Sequence, residues 1–142
     1  MTAPIKEKHL DLLQGIINRM AGNSFLLRGW SVTLVSALLT LGANHAQPLV
    51  VAIALLPVFT FWGLDGYFLA QERLFRDLYA KVIDPNQPVP DYSLKIAPCT
   101  FSLWFRAVRR PLLLVLHGAV LTVTVCVLAY LWSGGAMAPA PR

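Results

Sequence analysis

Three ionisable residues, Arg28, Asp65 and His117, lie within otherwise apolar stretches of this 142-residue chain. Charge inside lipid is costly, so such residues mark ion pairs, proton paths or ligand sites. Histidine can also change its charge near neutral pH. These residue types therefore allow ion pairing and, for His117, proton relay or gating. The alternative for His117 is a neutral side chain bonded to a hydroxyl or a carbonyl.

A second group, "RAVRR", places Arg106, Arg109 and Arg110 directly before Pro111. Guanidinium groups suit phosphates, and the neighbouring Trp104 and Phe105 are typical of a membrane interface. The pattern favours contact with anionic lipid headgroups. A nucleotide is the alternative, and no direct binding of nucleic acid is expected.

The chain contains no recognisable catalytic motif. It lacks a glycine-rich phosphate loop, HExxH, CxxC, GxSxG and an acidic cluster for a divalent metal. Its two cysteines, Cys99 and Cys126, lie far apart in unlike surroundings, which indicates neither a disulfide nor a metal site. We therefore expect no enzymatic activity, no metal and no cofactor.

The elements that position these residues are predicted to be membrane helices. The chain is 56% hydrophobic and 13% charged, whereas about a quarter of the residues of a soluble domain are charged. Residues 25–43, 48–69 and 111–132 each meet the length of roughly 20 predominantly apolar residues that cross a bilayer, and in lipid such segments must be helical. Only "NHAQ" separates the first two, which predicts an antiparallel hairpin. The predicted fold is an all-α membrane protein with three transmembrane helices.

The second helix is predicted to continue beyond the lipid to residue 83, with about 20 Å projecting into the cytoplasm. A proline-rich loop at 84–98 and an interfacial basic segment at 99–110 follow. Residues 5–21 form an amphipathic helix that either packs on the projection or lies on the membrane, joined to the first span by a hinge at "AGNS". The projection carries an apolar stripe of its own, formed by Leu74, Phe75, Leu78, Tyr79 and Val82.

Basic residues predict the orientation, because they are biased toward cytoplasmic flanks. Of the 12 Lys and Arg residues, only Arg142 lies in the C-terminal tail; the others precede or open the first span or lie between the second and third. We expect a multi-pass protein of the bacterial inner membrane, with a cytoplasmic N-terminus and a flexible tail, 133–142, outside.

The geometry of the predicted hairpin indicates an ion-pair partner for Asp65. Counted from the turn, Arg28 and Asp65 lie about 22 and 25 Å along their helices. Their similar depth predicts an intramembrane salt bridge. The alternative is that Arg28 extends to headgroups and Asp65 to water.

Small and hydroxylated residues form a stripe on the first span, at Gly29, Thr33, Ser36 and Thr40. A similar run on the third span comprises Gly118, Thr122 and Cys126. Such stripes indicate close helix packing. Alternatively, the first stripe lines a water-filled path in an oligomer, where hydroxyls replace part of an ion's hydration.

The runs "NRMAGNSFLLRGWSVTLVSALLTL" and "ALLPVFTFWGLDGYFLAQERLFRDLYAKV" resemble a group of small bacterial three-span membrane proteins and, more loosely, the SLATT effectors of anti-phage systems. In SLATT-like proteins a pair of spans continues into a long cytoplasmic helix. The resemblance implies an effector that oligomerises and breaches the membrane when a sensor signals. The third span and the outside C-terminus depart from the SLATT pattern.

Two functional hypotheses follow. The first is a homo-oligomeric pore or membrane-disrupting effector, triggered by a cytoplasmic sensor protein or a nucleotide. The second is a non-conducting accessory or scaffold subunit that anchors a cytoplasmic partner to the bilayer.

Overall fold

The structure, a computed structural model, describes residues 3–86 and 92–134, and every regular element within these ranges is a helix. The five helices are α1 (Ala3–Asn44), α2 (Pro48–Ile53), α3 (Leu55–Ile83), α4 (Phe101–Val108) and α5 (Pro111–Trp132). The predicted proline-rich loop is non-helical where it is described, at 84–86 and 92–98. Residues 87–91 of that loop and residues 135–142 of the predicted flexible tail lie outside the described residues.

Three helical segments are long and apolar enough to cross a membrane: Pro4–Asn44, Pro48–Ile83 and Pro111–Trp132. Large apolar side chains such as Leu56, Phe59 and Val115 point outward on all sides of the bundle. An outward apolar surface suits a lipid environment. The structure thus confirms the predicted all-helical fold with three helices able to span a membrane.

The first helix is longer and less interrupted than the sequence predicts. α1 runs through residues 21–24 without a break, so the predicted hinge at "AGNS" is wrong. A single glycine inside a helix costs only about 1 kcal/mol. Ser24 is also not a helix cap, because its buried side chain donates a hydrogen bond to Asp65 on α3.

The second span contains a break, whereas the sequence predicts a continuous helix. One non-helical residue, Ala54, separates α2 from α3, three positions before Pro57. Proline has no N–H to bond the carbonyl four residues earlier, and its ring clashes with that carbonyl, here that of Ile53. Backbone hydrogen bonds continue on both sides of the break: Ala54 N–H donates to Val51 O at 3.1 Å, and Val58 N–H donates to Ala54 O at 3.3 Å.

The turn between α1 and α2 fixes the register of the hairpin. Gln47 N–H donates to Gly42 O at 2.9 Å, and Ala46 takes a left-handed backbone conformation with φ of +49°. Gly42 lies directly against Val51, where an added Cβ would come within 2.5 Å of Val51 Cγ2. The close approach at Gly42 sets α1 and α3 antiparallel from this point onward.

The helices bury seams of residues spaced three and four apart, as packed helices do. On α1 the seam begins at His9, Leu13 and Ile17, so the N-terminal part of this helix packs within the chain. Val82 near the end of α3 is also buried, and the ring of Tyr92 meets that of His9 edge-on at 5.5 Å. The seam of α5 consists of Leu113, His117, Thr124 and Leu131.

Helix α4 lies flat against α3 through two glycines and two tryptophans. Trp62 donates its indole N–H to Val108 O at 3.1 Å, and Trp104 donates to Gly63 O at 2.9 Å. At Gly66 an added Cβ would collide with Cγ2 of Val108 and lie 3.3 Å from its Cα. The contact therefore depends on the missing side chain at Gly66.

Candidate functional site

The buried carboxylate of Asp65 is the centre of the candidate site. Asp65 lies on α3 and is fully buried. Arg28 on α1 reaches it with two donors, Nε at 2.8 Å from Oδ2 and Nη2 at 3.2 Å from Oδ1. A two-point guanidinium–carboxylate contact is both stronger and more directional than a single bond. The structure therefore brings the predicted partners together, and it rejects the alternative in which they point to headgroups and water.

Ser24 completes the contact from the α1 side. It lies one helical turn before Arg28, donates its hydroxyl to Asp65 Oδ1, and accepts a bond from Arg28 Nη2 at 3.2 Å. Residues four apart share a helix face, so this spacing could have indicated Ser24 in the sequence. Ser24 was not predicted, because the run "AGNS" favours a hinge at this point.

His117 brings the third span into the same cluster. Its Nε2 lies 3.1 Å from Asp65 Oδ2, and its ring stacks on Trp62 with a centroid distance of 5.9 Å and an interplanar angle of 14°. The partner is thus a carboxylate, which corrects the expected bond to a hydroxyl or carbonyl. Trp62 was not predicted either, although it lies one turn before Asp65 on α3.

The second ring nitrogen of His117 has no hydrogen-bond partner, although the side chain is fully buried. A carboxylate already held by Arg28 accepts a proton-bearing Nε2. With the proton on Nε2, the unpaired Nδ1 is an acceptor, which avoids burying an unpaired N–H. The arrangement places a buried histidine ring beside the Arg28–Asp65 ion pair.

The cluster of Ser24, Arg28, Asp65 and His117 lies at one level of the bundle. His117 is 15 residues before Trp132, as Arg28 is 15 residues before Ala43, or about 22 Å of helix in each case. Only Arg28 keeps some exposure, at 20% of its side chain. Chemically, the cluster joins α1, α3 and α5 through one buried carboxylate.

The predicted small-residue stripe is not part of this cluster. Gly29, Thr33, Ser36 and Thr40 are all exposed on the outer face of α1. Open space surrounds Gly29, and Thr40 donates its hydroxyl to Ser36 O at 2.8 Å. The stripe therefore lies on the exposed surface of the single chain, with Ser36 at the border of a cavity between α1 and α5.

The run on α5 also faces outward. Thr122 and Cys126 are exposed and Gly118 is half-buried, with the Thr122 hydroxyl donating to Gly118 O at 2.8 Å. Two further exposed glycines, Gly15 and Gly22, precede Gly29 at intervals of seven on α1 and have no neighbour within 4 Å of an added Cβ. This heptad spacing was visible in the sequence and was missed.

The three predicted basic residues lie outside the cluster, where α4 meets α5. Arg106, Arg109 and Arg110 are exposed, and the guanidinium of Arg109 lies 5.3 Å from the ring centroid of Phe105.

Among residues 3–86 and 92–134, no group of three His, Cys, Asp or Glu side chains could hold a metal ion.

Fold and site together define a multi-pass, all-helical membrane protein whose three longest apolar segments meet at a buried ionic cluster. Comparison of the chain with protein-family models, with curated proteins and with solved structures finds no match. The resemblance to SLATT effectors therefore stays a prediction.

Proposed function

We propose that this protein assembles into a homo-oligomer in the bacterial inner membrane and acts there as a pore-forming or membrane-disrupting effector. The observation that carries the proposal is the outward direction of the stripe at Gly29, Thr33, Ser36 and Thr40. All four residues are exposed within the single chain, and Ser36 also borders a cavity between α1 and α5. A surface of small and hydroxylated residues is unfavourable against lipid. The stripe is therefore expected to contact other copies of the chain or to face water.

Three spans are too few to enclose a water-filled path, so several copies must surround a common axis. In such a ring each α1 would present Thr33, Ser36 and Thr40 inward. The glycines at intervals of seven, Gly15, Gly22 and Gly29, would let neighbouring helices approach closely along the same face.

The ionic cluster sets the rotation of α1 in this assembly. Arg28 and Ser24 point from α1 toward Asp65, so the opposite side of the helix must face away from the chain. The cluster itself is sealed and does not line the path. It thus acts on gate geometry by fixing the direction in which the stripe points.

The basic end of the bundle is assigned to the cytoplasm, with the N-terminus inside and the C-terminus outside. The end of α3, its loop and α4 would then receive a trigger from a sensor protein or a nucleotide. A role in anti-phage defence rests on the resemblance to SLATT effectors alone.

Particle imaging and flux measurements test this proposal together. Imaging of the detergent-solubilised protein should show a symmetric assembly above a dimer with a central opening. In liposomes, changing Thr33, Ser36 and Thr40 to Leu should reduce ion leak at least about tenfold, because the lining loses its hydroxyls. Val115→Leu and Val125→Leu, at exposed positions of α5 outside the cavity that Ser36 borders, serve as the control. A species no larger than a dimer, with no leak under any trigger, would contradict the proposal.

The alternative function is a non-conducting scaffold, and helix length is the observation that favours it. α1 has 42 residues and the segment Pro48–Ile83 has 36, or about 63 and 54 Å of helix. Both exceed the roughly 30 Å of hydrocarbon, so a two-helix stalk would extend from the membrane and offer a binding surface. A compact particle without an opening that retains a cytoplasmic partner would support this function.

A further inference from the structure

The surface where α4 meets α5 forms a groove of about 510 Å³ lined by Ser102, Phe105, Arg106, Arg109 and Arg110. We call it the arginine groove. It is separate from the ionic cluster, and the proposed pore does not use it. Its size falls within the range of small-molecule binding sites.

The positive charge of the groove is uncompensated. Within residues 3–86 and 92–134 the ion pairs are Arg28–Asp65, Arg76–Glu72 and His117–Asp65, none of which includes Arg106, Arg109 or Arg110. The charges of Arg106 and Arg110 also act on Arg73 of α3, where the carboxylates of Glu72 and Asp77 oppose them. Like charges held together without an anion repel one another, which favours a ligand that bears negative charge.

The groove combines this charge with an apolar edge. Phe105 stacks on Phe101 at a centroid distance of 6.0 Å, and Phe101 is 75% exposed. Leu112, the second residue of α5, is also exposed. Pro111 begins the third span, so the arginines lie where hydrocarbon gives way to headgroups. Aromatic and basic residues at that level are typical of a lipid-binding surface.

We propose that the arginine groove binds the phosphate of an anionic phospholipid, with its apolar part lying along Phe105 and Leu112. Guanidinium groups donate paired hydrogen bonds to phosphate oxygens. The hydroxyl of Ser102, which shares a hydrogen bond of 3.1 Å with Thr100 Oγ1, lies at the edge of the groove. The inference is independent of the proposed pore, because a non-conducting scaffold would hold the same lipid.

Native mass spectrometry of the full-length protein in neutral detergent tests the site. The protein is titrated with short-chain phosphatidylglycerol and, in a separate series at the same concentrations, with short-chain phosphatidylcholine, and the fraction of lipid-bound protein is measured. The triple variant Arg106→Gln, Arg109→Gln and Arg110→Gln should bind phosphatidylglycerol at least about tenfold more weakly, because each lost charge-assisted bond weakens phosphate binding. The control is Lys6→Gln, Arg19→Gln and Lys95→Gln. It removes three positive charges that lie outside the groove and form no ion pair among the described residues, and it should change binding less than about twofold.

The outcomes separate a built site from diffuse charge. Equal losses in both triple variants, or no loss in either, would overturn the proposal. Displacement of the lipid by inorganic phosphate at the same concentration would assign the groove to a soluble phosphate instead. The variant Arg106→Lys, Arg109→Lys and Arg110→Lys keeps the charge but loses the paired bonds, so an intermediate loss supports the site even if the glutamine variant does not fold.

Discussion

Asp65 carries the densest set of polar contacts in the described part of the chain, because Ser24, Arg28 and His117 all converge on its two oxygens. A carboxylate with no exposed surface cannot exchange these partners for water. Removing one member of such a buried group therefore leaves the others unsatisfied, which costs more than the intact contact contributes.

The first prediction concerns the charge of Asp65. Asp65→Asn keeps the size of the side chain but leaves the guanidinium of Arg28 without a counter-ion. We expect a loss of roughly 3–5 kcal/mol in the free energy of unfolding, measured by denaturant titration in detergent. The double variant Asp65→Asn with Arg28→Gln removes both charges and should recover part of that loss. A single Asp65→Asn variant as stable as the native chain would show that the pair contributes nothing.

The second prediction separates the hydrogen bond of His117 from its packing. His117→Leu removes a donor to Asp65 and should destabilise the protein by about 1–3 kcal/mol, the usual effect of leaving a buried polar group unpaired. Thr124→Val is the matched control on α5, because Thr124 is equally buried but bonds only Val120 O of its own helix. Both variants are compared by the same unfolding titration. Equal effects would indicate that His117 acts through packing alone.

At the scale of the elements, hydrophobic length and charge position predicted much of the fold. Counting residues from the hairpin turn was enough to place Arg28 beside Asp65, because a helix rises by a fixed amount per residue. The same count for α5 would have placed His117 at that level. The presence of three apolar segments was predictable for the same reason, since bilayer thickness sets the length of a span.

The errors arose where tertiary contacts overrode local preference. Gly22 and Asn23 suggested a hinge, but α1 stays helical there and Ser24 is drawn inward by its bond to Asp65 on α3. Pro57 lies in a long apolar run, which predicts one continuous helix, so the break at Ala54 was not predicted. The approach of α4 to α3 could not be predicted, because it depends on which face of α3 exposes Gly63 and Gly66.

The third prediction tests the contact between α4 and α3. Gly66→Ala adds a Cβ that collides with Val108, so α4 must shift and the two tryptophan hydrogen bonds lengthen. We expect a loss of about 1–3 kcal/mol, as for an overpacked core, together with a red shift of tryptophan fluorescence. At Gly63 the added Cβ would lie 3.7 Å from Trp104, an ordinary contact. Gly63→Ala should therefore leave both measurements nearly unchanged, and equal effects at the two glycines would count against this contact.

At the scale of the whole molecule, polar and apolar surfaces are distributed as lipid requires. Charged and hydrogen-bonding groups of the spans turn inward to Asp65, while residues such as Leu56 and Val115 turn outward. The outward stripe on α1 departs from this rule. It was predictable from residue type, but its direction required the structure, because only the contacts of Ser24 and Arg28 define the inner side of α1.

The fourth prediction is that the chain crosses the bilayer three times. α5 runs alongside α1, because His117 meets Asp65 and α5 also packs against α1 and α2. Reporter fusions should therefore place the N-terminus in the cytoplasm and the C-terminus outside, with a reporter inserted at the turn of residues 45–47 as an internal control for the outer side. The basic residues supply the direction, since those flanking the spans gather at the opposite end from this turn. Both termini on one side would mean that α5 does not cross, and His117 could then not share a depth with Arg28 within the bilayer.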